Sequence, residues 1–214
     1  MRIVLFGPPG VGKGSQAKLL NERCGMAHVS TGILLRTAIR KRTKVGKAAE
    51  AMVQEGKLVA DDIVRKIAED ALLERNCNDF VLDGYPRTIR QAEWLSEFLE
   101  KHEAPLRRVI SLTAPDEVIV DRLSKRRVDR VTRENYHLDF KPPPPNLPAG
   151  RIIQRTDDRP EIILRRLKQY REETSAVREY YRERGLLSEV HGVGEFEEVH
   201  GRILAALEES RATA

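Results

Sequence analysis

The sequence predicts an α/β protein: a parallel β-sheet flanked by helices, carrying inserted segments. Three observations carry that prediction. Apolar runs of strand length are separated by stretches of helical spacing, the pattern of a sheet covered on both faces. The first run is followed at once by a glycine-rich turn and then a helix, the first half of a βαβ unit. The 214 residues, 40% of them apolar, suffice for one large domain with a real core and are too apolar for a disordered chain.

In order along the chain, Arg2–Phe6 reads as a buried strand that stops at Gly7, and 7–12 is turn chemistry throughout. Residues 13–23 have helical spacing, with Ala17, Leu19 and Leu20 on one side. Residues 31–42 and 46–55 read as two short helices. Asp61 or Asp62 is expected to cap a third, in which Ile63, Ile67, Ala71 and Leu72 recur. Phe80–Asp83 is a second buried strand, ended by Gly84-Tyr85-Pro86. Residues 88–101 are helical, and Trp94 is expected to pack into the core with Leu95, Phe98 and Leu99. Residues 109–112 form a third strand, and 115–127 a helix with Pro115 in its first turn. The pattern breaks over 128–150, where prolines 142–145, Pro148 and Gly150 exclude helix interior and central strand. That stretch is either a disordered linker or a compact flap between two helices. Residues 162–181 form a long amphipathic helix, 186–190 a fourth strand and 196–207 a closing helix.

Composition removes several classes. Two cysteines, Cys24 and Cys77, make neither a multi-disulfide scaffold nor a four-thiolate zinc site, and they fit a reducing compartment. No apolar run approaches the ~20 residues a membrane span needs, and the N-terminus lacks the features of a signal peptide. A cytoplasmic globular protein with no membrane contact is expected. Thirty-eight Lys+Arg against 33 Asp+Glu leave +5, a weak argument for nucleic acid. Arginines concentrate between Arg122 and Arg171, either as solvated helix faces with i,i+4 ion pairs or as a cluster facing a polyanion.

The glycine loop decides between them. Gly7-x-x-x-x-Gly12-Lys13, after a strand and before a helix, turns backbone N–H groups toward one centre. With the helix N-terminus they hold phosphate oxygens, and the lysine adds a point charge. The usual hydroxyl directly after the lysine is displaced by one residue, with Gly14 intervening before Ser15. The segment Gly7 to Gln16 thereby resembles the nucleoside monophosphate kinases. Agreeing segments run in order along essentially the whole chain: Ser30-Thr31-Gly32 with Leu34-Leu35-Arg36, then Glu55 to Val59, Asp83 to Thr88 with Gln91, Asp121-Arg122 with Arg126-Arg127, Tyr136-His137 before the prolines, Gln154 to Asp158, and Arg165-Arg166-Leu167. Within that family, the long insert and Gln91 are similar to the adenylate kinase branch.

The resemblance implies a P-loop NTPase-type sheet with a core of 1–29, 60–127 and 159–214, a monophosphate-binding insert over 30–59 and a lid over 128–158. It implies Mg²⁺-dependent transfer of a phosphoryl group from ATP to AMP, giving two ADP, in adenylate energy homeostasis and nucleotide biosynthesis. It assigns the ATP phosphates to Gly10, Val11, Gly12, Lys13, Gly14 and Ser15, with Arg122, Arg126, Asn135, Tyr136 and Gly192 completing the donor site. The AMP site comprises Thr31, Arg36, Lys57, Leu58, Val59, Gly84, Tyr85, Arg87 and Gln91, with Gln91 on the adenine edge. Lys13, Arg87, Arg122, Arg126, Arg155 and Arg166 are the implied catalytic set, the last two also touching AMP. Asp83 is implied to hold Mg²⁺ through water. A monomer is implied.

Two departures stand out against the family pattern. Ile33 occupies a position usually acidic, and 191–194 lacks a lysine that some relatives carry. Some relatives also staple the lid with four cysteines around zinc. Here both cysteines lie outside 128–158, and His137 and Asp139 are the two candidate ligands, so a hydrogen-bonded lid without structural zinc is expected. The alternative within the family is a different base preference, a UMP/CMP acceptor or a GTP donor. Outside it stand a regulatory nucleotide-binding module, favoured only by Ile33, and a nucleic-acid binder, disfavoured because aromatics are 5% of the chain and scattered.

Overall fold

The computed structural model describes residues 1–55 and 57–212. The elements run β1 (Arg2–Phe6), α1 (Lys13–Cys24), β2 (Ala27–Ser30), α2 (Thr31–Arg40), α3 (Lys44–Gln54), α4 (Asp61–Leu73), β3 (Phe80–Asp83), α5 (Ile89–Lys101), β4 (Arg108–Thr113) and α6 (Asp116–Ser124). There follow β5 (Arg126–Asp129), β6 (Asn135–His137), β7 (Ile152–Ile153), α7 (Pro160–Gln169), a π-helical stretch Tyr170–Thr174, α8 (Ser175–Glu183), β8 (Leu187–His191) and α9 (Phe196–Ala212).

The main sheet has the order β2-β3-β1-β4-β8, with all neighbours parallel. β1 shows why its sequence is a continuous apolar run. Successive side chains point to opposite faces, so Val4 and Phe6 enter one core cluster while Ile3 and Leu5 enter the other. All four are 0–3% exposed, the signature of a strand covered twice. The first cluster adds Phe80, Leu82, Leu95 and Tyr181, and the second adds Val81, Ile110, Leu20 and Ile203. Burying each such side chain contributes about 1.5–3 kcal/mol, which makes the sheet centre the rigid base of the molecule.

The α/β class and the parallel sheet agree with the sequence reading, but four details differ. The sheet has a strand that the periodicity did not flag, β2, at the edge beside β3. The helix expected over 115–127 ends at Ser124. Arg126, Arg127 and Val128 pair instead with His137, Tyr136 and Asn135 in an antiparallel ladder, so cross-strand hydrogen bonding overrides helical spacing. Asp61 and Asp62 sit inside the first turn of α4, whose N-cap residue is Ala60. Trp94 is half-buried and outside the core clusters, held between the guanidinium groups of Arg65 at 4.6 Å and Arg90 at 4.4 Å.

Residues 128–150 form a compact flap. β6, β5 and β7 make a small antiparallel sheet. Its inner anchor is Asp129, 1% exposed. The carboxylate accepts the N–H of Val131 at 2.7 Å and of Thr132 at 3.2 Å, and its other oxygen accepts Arg151 Nε at 2.8 Å. His137 Nδ1 accepts the N–H groups of Asp139 and Phe140, and Lys125 pairs with both Asp121 and Asp139. The prolines thus belong to a folded flap tied by charge and hydrogen bonds.

Candidate active site

β1 delivers the chain into the loop at Gly7. There φ is +135°, and a Cβ would stand 2.4 Å from the Leu112 carbonyl oxygen, so glycine alone fits. The loop ends at Gly12, whose left-handed φ of 110° starts α1 at Lys13. Lys13 Nζ donates to the carbonyls of Gly7 and Pro8, both at 2.8 Å, which folds the ammonium back over the loop. Gly14 and Ser15 are exposed in the first turn of α1. Burial pushes the Lys13 ammonium down to about 8. Asp83 opposes that shift, and the charges of Arg87, Arg166 and Arg126 add to it.

Those electrostatic neighbours identify the centre. Lys13 comes from α1, Asp83 from the end of β3, Arg87 from the turn after it, Arg126 from β5 and Arg166 from α7. Asp157 and Asp158 organise the arginines. Arg126 makes a two-pronged contact with Asp158, Nε to Oδ2 at 2.8 Å and Nη2 to Oδ1 at 2.6 Å. Arg155 grips Asp157 in the same way. Arg166 Nη1 donates to the Asp157 carbonyl at 3.0 Å and lies 3.4 Å from its carboxylate. Burial, with the repulsion of neighbouring guanidiniums, brings Arg36 down to about 9 and Arg166 to about 10. Burial also lowers Arg87 and Arg155. For Asp157, burial works upward, but Arg155, Arg166 and Arg126 outweigh it and leave the carboxyl at about 2. At neutral pH Arg36 and Arg166 remain cations.

A narrow cavity of about 70 Å³ reaches this centre. It is lined by Thr31, Arg36, Lys57, Leu58, Val59, Gly84, Arg87, Gln91 and Arg166, with Asp157 also on its wall. Gly56 lies outside the described residues. Gln91 is 1% exposed and fixed on both sides: Oε1 accepts Arg87 N–H at 2.7 Å, and Nε2 donates to Asp61 Oδ1 at 2.7 Å. Arg87 Nε donates to the Gly84 carbonyl at 2.9 Å. Tyr85 belongs to the core cluster and is not among the lining residues.

A second cavity, of about 370 Å³, is lined by Val118, Asp121, Arg122, Phe140, Val193 and Gly194, together with Glu195 and Glu198. Arg122 Nη1 donates to the Gly192 carbonyl at 3.0 Å and lies 3.4 Å from that of Val11, so it bridges the glycine loop to this wall. Burial lowers its guanidinium. Asn135 is exposed and Tyr136 half-exposed on β6, with Lys141 Nζ 5.5 Å from the Tyr136 ring.

Asp83 is the hard oxygen donor nearest the loop. Its Oδ2 would lie 3.6 Å from a Cβ at Gly14, and it receives Ser30 Oγ at 3.3 Å and faces His28 Nε2 at 3.5 Å. Burial raises this carboxyl, but His28, Lys13 and Arg87 hold it below the usual carboxylate range. A single ionised carboxylate close to the first turn of α1 suits a small hard cation that keeps most of its waters and takes other ligands from phosphate. Among the described residues no group of three or more His, Cys, Asp or Glu forms a metal cage.

Sequence reasoning offered Asp61 only as a possible helix cap, gave His28 no role, and quoted Asp157 and Asp158 only within the segment Gln154 to Asp158 that carries the family resemblance. The contacts of Asp61, His28 and Asp158 are tertiary and leave no periodic signal, whereas Asp157 also pairs locally with Arg155.

A glycine loop on a parallel sheet and a cluster of buried cations beside a cavity define a P-loop protein. The chain matches the family described as Adenylate kinase over residues 5–186, and it belongs to that family. It is 52% identical to an adenylate kinase of Salinibacter ruber over 97% of this chain and 98% of that one. It is 43% identical to an adenylate kinase of Chloroherpeton thalassium over 95% of this chain and 96% of the other, and 38% identical to one of Fusobacterium nucleatum over 93% and 94%.

Proposed function

We propose that the chain catalyses reversible phosphoryl transfer from ATP to AMP, giving two ADP, with the loop and the second cavity as donor site and the narrow cavity as acceptor site. The observation that carries this reading is the convergence of Lys13, Arg87, Arg126 and Arg166 with Asp83 from separate elements onto one centre. An oxygen of the AMP phosphate is already an anion near neutral pH. It attacks the γ-phosphorus, the bond from that phosphorus to the β–γ bridging oxygen breaks, and ADP departs with the electron pair. No proton shuttle is needed, and the protein's work is alignment and charge neutralisation.

On this reading Gly10 to Ser15 cradle the ATP phosphates, and Lys13 meets the outer ones. Arg122 and Gly192 border the donor base, with Asn135 and Tyr136 approaching from the flap. Arg126, Arg155 and Arg166 spread the charge of the moving group, while Arg36 and Arg87 hold the AMP phosphate. Thr31, Lys57, Leu58, Val59 and Gly84 shape the acceptor pocket, and Tyr85 supports it from the core. Gln91 has one amide proton and one lone pair left after its two hydrogen bonds, a matched pair for the amino group and ring nitrogen of adenine. Asp83 and Ser15 are the residues that would hold Mg²⁺, which supplies Lewis-acid neutralisation of phosphate charge when bound. Residues 30–59 and 128–158 close over the two nucleotides and exclude water.

A monomer acting in the cytoplasm is part of the proposal. Cys24 and Cys77 are free thiols, and among the described residues no helix is long and apolar enough to cross a membrane. The test is ADP formation from ATP, AMP and Mg²⁺, assayed over four donors and four acceptors. ADP is expected with ATP and AMP and is lost when AMP is withheld. ADP release from ATP alone, or a better acceptor than AMP, would overturn the reading.

A further inference from the structure

The narrow cavity takes its wall from distant parts of the chain. Val53, Lys57, Leu58 and Val59 come from the 30–59 insert, and Asp157 and Arg166 from the turn and helix after the flap. α3 lies against that turn, Thr156–Asp158, so the two parts meet. One side chain ties them. Arg165, exposed on α7, sends Nη1 to the carbonyl oxygen of Glu55 at 3.2 Å, across 110 residues of sequence. Lys57, and to a lesser extent Arg165, also hold the Glu55 carboxyl below its ordinary range. Among the described residues, no other hydrogen bond or ion pair joins 31–59 to 151–169.

The two ends of this bond differ in how firmly they are held. α7 is fixed to the core, because Ile163 and Leu167, 0% and 2% exposed, pack with Ile119 and Leu123 of α6. Glu55 is the C-cap of α3, where helix carbonyls lack an intrahelical partner and a cation is favoured. Arg165 therefore anchors the end of α3 to a fixed helix, just before the chain reaches Lys57. Its neighbour Arg166 faces the cavity, whereas Arg165 is not among the lining residues. Successive side chains diverge by about 100° around a helix, so α7 sends one arginine to the cavity and the other to the loop that covers it. We infer that Arg165 is a positioning residue for acceptor binding: by holding the Glu55 carbonyl it keeps Lys57, Leu58 and Val59 against the narrow cavity. The inference rests on that cavity being the AMP site. Because Arg165 does not line the cavity, its loss weakens the hold on AMP and leaves the transfer step alone.

The experiment measures kcat and KM for AMP at saturating ATP, and KM for ATP at saturating AMP, in the unaltered protein, Arg165→Ala and Arg165→Lys. Arg165→Ala is expected to raise KM for AMP about fivefold, the scale of one exposed hydrogen bond from a charged donor. KM for ATP and kcat should stay near their original values. Arg165→Lys keeps a long cationic donor and should restore most of the affinity. If Arg165→Ala does not fold, Arg165→Met, which keeps the stem and removes the donors, is expected to show the same rise. Hydrogen exchange adds a second readout. In the AMP-bound protein, amides at 53–55 and 57–59 should exchange faster in Arg165→Ala, while those of α7 keep their protection. An unmoved KM for AMP, equal rises for both nucleotides, or unchanged exchange at 53–59 would overturn the inference. Photolabelling with 2-azido-AMP separates its failure from that of the underlying reading. Label within 31–36, 53–59 or 84–91 with an unmoved KM sinks the role of Arg165 alone. Label elsewhere removes the acceptor-site assignment, and the inference falls with it.

Discussion

Asp61 Oδ1 accepts a 2.7 Å hydrogen bond from Gln91 Nε2, and its second oxygen accepts Thr88 Oγ1 at 2.9 Å. The first turn of α4 therefore orients an amide on α5 that lines the narrow cavity. With Arg87 N–H on the other side, the amide cannot flip without placing two like groups together. Asp61→Ala should lower kcat/KM for AMP roughly tenfold and narrow its preference over other monophosphates, as Gln91→Leu should do more strongly. Steady-state assays with AMP, UMP and CMP check this. An unchanged base preference in both variants would remove Gln91 as the reader of the ring.

Lys13 supplies the second prediction. Its ammonium, held down at about 8 by burial, loses its charge as pH rises through that value in the free protein. Because kcat/KM reports the free enzyme, kcat/KM for ATP should decline above about pH 8. kcat should decline less, because bound phosphates favour the charged form and lift the lysine again. Lys13→Met should cost roughly a thousandfold or more in kcat, since it removes a charge aimed at the transferring group. A flat kcat/KM profile from pH 7 to 10 would contradict the assignment.

Asp129 ties the flap together through three hydrogen bonds. Asp129→Ala strands two backbone N–H groups and the Arg151 guanidinium. Amides across 129–152 should exchange with deuterium tenfold or more faster, while the main sheet keeps its protection. A chelator should leave the thermal transition of the unaltered protein where it is, and elemental analysis should find no stoichiometric zinc.

The arginine cluster sets an acid limit. Asp157 titrates at about 2 in the folded chain, below its ordinary value of 3.8. A depressed carboxyl contributes stability that is present above the unfolded value and lost as pH falls through the folded one. Stability should thus drop between about pH 4 and pH 2. Asp157→Asn, less stable at neutral pH, should converge with the unaltered protein over that window. Urea titrations at several pH values read this directly.

How much was legible in the sequence depended on how locally each feature is determined. β1, β3 and β4 are apolar runs bounded by turn residues, so they stood out. Ala27–Ser30 has only two strongly buried apolar side chains, Ala27 and Val29, and its strand character comes from pairing with β3. Arg126 and Arg127 continue a helical spacing, and only their partners on β6 make them a strand. Trp94 looked like core because its neighbours are, yet its face meets two arginines. At the site, the glycine loop is spelled out by spacing, whereas the arginines had meaning only through family resemblance. Asp61 is 30 residues from Gln91 and 27 from Thr88, beyond the reach of any local pattern.

Trp94 is the chain's one tryptophan. All indole emission therefore arises between Arg65 on α4 and Arg90 on α5, and α4 also carries Val64 on the wall of the narrow cavity. Any shift of one helix against the other alters the charge facing the ring. If AMP occupies the narrow cavity as proposed, a change in Trp94 emission would be an unlabelled optical gauge of its arrival, read at a single address.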